Sequence, residues 1–103
     1  MKTRREMLEG LLAQDPNDSF SRYALALELE KEGKAQEAVP QLREVIARDP
    51  SYVAAYHHLG RLLAQTGLVE EARESYRRGL DVAIASGDQR ARSEMQEALE
   101  MLE

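Results

Sequence analysis

The residues able to do chemistry in this chain are few, and they do not assemble into a reaction centre. His57 and His58 are adjacent. On a helix, neighbours point about 100° apart, whereas a metal-binding histidine pair needs i, i+4 spacing. Position 61, the next residue on that face, is Arg61, which repels a cation. These histidines read as surface residues, with contact to a ligand as their one specific role. The serines, Ser19, Ser21, Ser51, Ser75, Ser86 and Ser93, stand in no nucleophile-elbow pattern, and no glycine-rich loop could cradle a phosphate. Cysteine is absent, which excludes disulfides, thiolate catalysis and Cys-ligated metal. Glu30/Lys34, Glu44/Arg48 and Glu74/Arg78 alternate in sign at i, i+4, as solvated helix faces do. The expectation is therefore no catalysis, no metal and no cofactor. What remains is recognition, for which Arg61 and Arg92 could hold a carboxylate through two parallel hydrogen bonds.

Composition narrows the class further. The chain has 103 residues, the length of one domain. It is 43% hydrophobic and 32% charged, enough apolar material for a core. With 14 basic and 19 acidic side chains its formal charge is −5, which argues against nucleic-acid or anionic-membrane partners. No apolar run approaches the roughly 20 residues that span a bilayer. The N-terminus, Met1-Lys2-Thr3-Arg4-Arg5-Glu6 followed by Met7-Leu8-Glu9-Gly10, lacks the apolar stretch of a signal peptide. A cytoplasmic protein is the expectation. Leu, Ala, Glu and Arg dominate, and these residues favour helix.

The elements that would position the candidate residues follow from a repeat. Residues 15–48 and 49–82, aligned at an offset of 34, share Asp15/Asp49, Pro16/Pro50, Leu25/Leu59, Leu29/Leu63, Gly33/Gly67, Glu37/Glu71, Ala38/Ala72 and Arg43/Arg77. Most of the shared positions are turn, small or apolar residues. Within each unit the period is helical. Arg22, Leu25, Ala26 and Leu29 make one stripe, Gly33 ends it, and Ala38, Leu42, Val45 and Ile46 make the next before Asp49-Pro50. Tyr56, Leu59, Gly60 and Leu63, then Gly67, then Ala72, Tyr76, Gly79 and Leu80 repeat the plan.

This pattern resembles the tetratricopeptide repeat family, whose 34-residue helix–turn–helix unit follows W-x₂-L-G-x₂-Y…A-x₃-F…P. The matching positions read Arg22, Leu25, Ala26, Leu29, Ala38, Leu42, Pro50 in the first unit and Tyr56, Leu59, Gly60, Leu63, Ala72, Tyr76, Ile84 in the second. Arg22 in place of an aromatic residue predicts a wetter helix edge. Ile84 in place of the closing proline lets that helix continue to about Ser86. Pro40 inside a predicted helix loses a hydrogen bond and predicts a kink. The resemblance implies an all-α fold, a right-handed α-α superhelix of about six antiparallel helices in one domain spanning 1–103. Its parts are an N-terminal helix at 3–14, repeats at 17–50 and 51–86, and a capping helix at 88–103 with Asp88 as N-cap.

The resemblance also implies a concave groove that binds a peptide or partner segment. The face opposite the packed one carries Phe20, Tyr23, Leu27 and Lys31 in the first unit and His57, His58, Arg61 and Gln65 in the second, with Arg92 and Gln96 from the last helix. Relatives that clamp a peptide C-terminus use paired Lys and Asn side chains, which are missing at Tyr23, Leu27, His57, His58 and Arg61. The leading expectation is a protein-binding adaptor whose partner is a protein or peptide, acidic or carboxylate-bearing. The alternative is an assembly module or homo-oligomer that stacks through its end helices. Charge by segment supports the former. Residues 1–17 and 51–84 are neutral, 18–50 carry −2 and 85–103 carry −3. The groove positions Lys31, Arg61 and Arg92 lean basic within an acidic shell.

Overall fold

The computed structural model describes residues 1–102. Six α-helices follow one another: α1 (Arg4–Gln14), α2 (Ser19–Lys31), α3 (Ala35–Arg48), α4 (Val53–Gln65), α5 (Val69–Ser86) and α6 (Gln89–Met101). There is no strand among the described residues. None of these helices is long and apolar enough to cross a membrane. The chain divides into two compact units, Met1–Asp49 and Pro50–Glu103, each a set of three helices.

The ends of the helices have local causes. Thr3 caps α1 with a reciprocal box: its hydroxyl accepts from the Glu6 N–H at 3.1 Å and the Glu6 carboxylate accepts from the Thr3 N–H at 3.0 Å. Asp18 and Asp88 cap α2 and α6 through the N–H groups of Ser21 and Ala91, each at 3.0 Å. Three helices stop at glycines in the left-handed region, Gly33, Gly67 and Gly87, with φ of 80°, 85° and 73°. In each case the following N–H reaches five residues back in a Schellman closure: Lys34 to Leu29, Leu68 to Leu63 and Asp88 to Ala83, at 2.8–2.9 Å. The turns at 33 and 67 fall 34 residues apart, as the repeat predicts. α5 runs to Ser86, past the Ile84 that replaces proline. α3 is continuous across Pro40, although Pro40 has no N–H to offer the Gln36 carbonyl.

In the first unit the buried residues are Leu8 and Leu12 of α1, Leu25, Ala26 and Leu29 of α2, and Leu42, Val45 and Ile46 of α3, with α2 packed against both α1 and α3. Ion pairs tie α1 to α2, Arg4 to Glu28 at 3.5 Å and Arg5 to Glu32 at 3.1 Å. The Arg5 guanidinium is held more firmly protonated by Glu32. Arg22 takes the aromatic position by hydrogen bonding: its guanidinium donates to the Gln41 side chain and to the Pro16 carbonyl, both at 3.0 Å. That half-buried guanidinium is the wetter edge expected from the sequence.

In the second unit, Tyr56, Leu59, Leu62 and Leu63 of α4 meet Ala72, Tyr76 and Ala83 of α5, with Met95 of α6 also buried. Two glycines permit the close approach. A Cβ on Gly60 would stand 2.5 Å from the Tyr76 ring, and one on Gly79 would stand 2.6 Å from Tyr56 Cβ and 2.9 Å from Met95 Cε. Ser75 Oγ donates to the Tyr56 carbonyl at 2.8 Å, and Tyr56 Oη donates to the Pro50 carbonyl at 2.7 Å. No buried side-chain polar atom among the described residues lacks a partner, as a specified interior requires.

Candidate binding surface

α4 buries Ala55, Tyr56, Leu59, Gly60, Leu62 and Leu63. The helical period leaves the opposite side to His57, His58, Arg61 and Gln65. The structure brings these four sequence-predicted residues onto one face. His57, His58 and Arg61 are half-buried and Gln65 is exposed. Arg61 Nη2 lies 2.9 Å from His58 Nε2. A guanidinium only donates, so in this contact the His58 ring nitrogen is on the accepting side. The same Nη2 lies 3.4 Å from His58 Nδ1, so the Arg61 fork rests against the His58 ring. The His57 ring lies 5.8 Å from the Tyr76 ring at 50°. Burial holds the Tyr76 hydroxyl above its ordinary range, with Arg61 pulling the other way.

His57 also lines a shallow cavity of about 220 Å³ with Glu94, Glu97, Ala98 and Met101 of α6. Those four residues are spaced i, i+3, i+4, i+7, one stripe of that helix. The neighbouring stripe, which carries Met95, faces the interior. Arg92 and Gln96 are exposed. They lie about 160–200° around the helix from Glu94. They are thus on the side of α6 away from the cavity, and the structure does not bring them to His57.

The first unit presents its predicted residues on α2. Phe20 is 68% exposed and Leu27 36%. Lys31 is exposed and Tyr23 half-buried, while Ala24 between them is buried. Phe20 on the surface is an unusual use of a large apolar ring, because burying one contributes roughly 1.5–3 kcal/mol.

Glu94, Glu97, Ala98 and Met101 were missed by the sequence reading. Their signal was present, since the apolar stripe Ala91, Met95, Ala98, Leu102 implies that its flanking stripe borders a neighbour. Which flank meets α4 depends on the rotation of α6, which Met95 sets by packing at Gly79. Among the described residues, no three His, Asp or Glu side chains converge in a way that could hold a metal ion.

Comparison with known proteins places this arrangement in a class. The sequence model of the tetratricopeptide repeat family matches residues 23–89. A TPR repeat-containing protein of Pseudomonas aeruginosa is 31% identical over 90 residues, 87% of this chain and 86% of that protein. The crystal structure of a tetratricopeptide repeat domain protein from Salinibacter ruber superimposes with a TM-score of 0.78 at 38% identity, over 82% of this chain and 94% of that one. The solution structure of a Bordetella parapertussis protein gives a TM-score of 0.83 at 32% identity, over 99% of this chain and 89% of that one. The chain belongs to the tetratricopeptide repeat family. Such repeats generally mediate protein–protein interaction and are generally non-catalytic.

Proposed function

We propose that this protein is a cytoplasmic adaptor that binds a segment of another protein on the faces of its repeat helices and performs no catalysis of its own. The observation that carries this reading is the α4 face. It has an oriented arginine, two half-buried histidines and an exposed amide on one side of a helix whose other side is fully committed to the core. Side chains already fixed in place bind at a smaller entropic cost. Arg61 suits a carboxylate on the partner. The exposed Phe20 and Leu27 on α2, with Tyr23 and Lys31, offer an apolar–aromatic contact in the first unit. Affinity capture with a Tyr23→Ala/Arg61→Glu variant tests the reading. Loss of the partner supports it, and unchanged recovery removes the proposed surface.

A second reading, homo-oligomerisation through the end helices, is favoured by α1. Met7 and Leu11 on that helix are 53% and 48% exposed beside the buried Leu8 and Leu12. Sedimentation over a concentration series separates the two, since a monomer throughout rules out self-association.

A further inference from the structure

We propose that the cavity between α4 and α6 seats a cationic side chain, a lysine or arginine carried by the partner segment. The inference rests on the interaction reading above and adds the chemistry of one subsite. The cavity holds about 220 Å³, below the roughly 300–1,000 Å³ of small-molecule sites, so it suits a single side chain. Its walls are of two kinds. Ala98 and the flexible thioether of Met101 offer apolar surface to an alkyl stem. Glu94 and Glu97 offer carboxylates, which only accept hydrogen bonds, to a head group that only donates.

The other charges nearby are consistent with that occupant. Arg90, one turn back on α6, donates to one oxygen of Glu94 at 3.1 Å. The Arg90 side chain is 92% exposed, so this pair is weak and yields to an incoming cation. No cation among the described residues pairs with Glu97. An acidic side chain entering here would meet two like charges. Arg61, four residues along α4 from His57, stands about 6 Å further up that helix. The recognised segment therefore carries a cation toward α6 and its carboxylate toward Arg61. The sequence expectation was a groove leaning basic through Lys31, Arg61 and Arg92; on α6, Arg92 lies on the side away from the cavity, whose lining carries Glu94 and Glu97.

The test is a nuclear magnetic resonance titration of the full chain with end-blocked Gly/Ser pentapeptides carrying one central Lys, Arg, Gln or Glu. The Lys and Arg peptides should move the Ala98 and Met101 methyl signals and the His57 ring signals saturably, while the Gln and Glu peptides leave them in place. The Glu94→Gln/Glu97→Gln variant should weaken the Lys peptide roughly fivefold. Both positions are exposed, so the amide spectrum should remain that of the folded chain. Equal shifts from the Gln peptide, no shifts from the Lys peptide, or undiminished binding by the variant would each overturn the cationic seat. The broader interaction reading is tested separately, because Arg61→Glu acts on partner capture and lies outside the cavity lining.

Discussion

Arg22 and Tyr56, 34 residues apart in the chain, make the same hydrogen bond with different chemistry. Tyr56 Oη donates to the Pro50 carbonyl at 2.7 Å, and Arg22 Nη2 donates to the Pro16 carbonyl at 3.0 Å, each reaching six residues back. Both tie the first helix of a repeat to the loop before it. Tyr56→Phe keeps the buried ring and removes only the donor. It should lower unfolding free energy by about 1 kcal/mol, measured by urea denaturation. No loss would show that the bond to Pro50 contributes nothing to the junction.

The contact between α4 and α5 depends on Gly60. Gly60→Ala places a methyl 2.5 Å from a Tyr76 ring that is only 5% exposed and has little room to yield. Overpacking costs about 1–3 kcal/mol, against a helix gain of about 0.5–1 kcal/mol. The variant should be less stable by about 1–2 kcal/mol. Gly10→Ala is the matched control. It also lies inside a helix, but a Cβ there meets nothing within 4 Å, so it should gain about 0.5–1 kcal/mol. Equal effects at the two sites would contradict the close-approach explanation.

Pro40 leaves α3 unbroken but forfeits one bond to Gln36. It is exposed, so Pro40→Ala should create no cavity. A helix-interior proline is about 3 kcal/mol less favourable than alanine, partly offset by the stiffer unfolded chain. A gain of at least about 1 kcal/mol in thermal or urea unfolding is expected. Lower stability would mean that the proline ring makes a needed contact.

The pH dependence has a named contributor in Asp18. The Ser21 hydroxyl donates to it at 2.6 Å and the Ser21 N–H at 3.0 Å, and these bonds hold its carboxyl below the ordinary range. A carboxylate with a depressed folded-state pKa stabilises above its unfolded value, about 3.9, and that stability is lost as pH falls through the folded value. Glu6, held down by Thr3, adds the same sign. Asp18→Asn keeps a good cap without the titrating group. The drop in melting temperature between pH 7 and pH 3 should be smaller in Asp18→Asn than in the wild type. An equal drop would assign the acid sensitivity elsewhere.

The repeat, its turns and its core were legible because one 34-residue period carried all three. Gly33 and Gly67 mark the left-handed closures, and Leu25/Leu59 and Ala38/Ala72 mark the buried stripes. The α4 face was legible for the same reason: fixing Leu59 and Leu63 inward leaves His57, His58, Arg61 and Gln65 outward. The α6 contribution was not. That helix lies outside the repeated segment, so no second copy fixed its rotation. Arg92 and Gln96 were expected on the binding face as the last helix's continuation of the groove. Met95 docking at Gly79 turns Glu94, Glu97 and Met101 toward His57 instead. α3 runs unbroken past Pro40, as the sequence led one to expect of a proline near a helix start, with the stripe Ala38, Leu42, Val45, Ile46 buried on both sides of it.

The most direct test of the central claim is affinity capture from native extract with wild type, Arg61→Glu and, as a charge-matched control, Arg77→Glu on an exposed position of α5. Arg61→Glu reverses the charge that would face the partner's carboxylate, and a close charge pair broken in an interface weakens binding by about 2–5 kcal/mol. The partner recovered by wild type should be lost with Arg61→Glu and kept with Arg77→Glu. Equal recovery by all three, with folding verified by circular dichroism, would contradict the assignment of the α4 face as the binding surface.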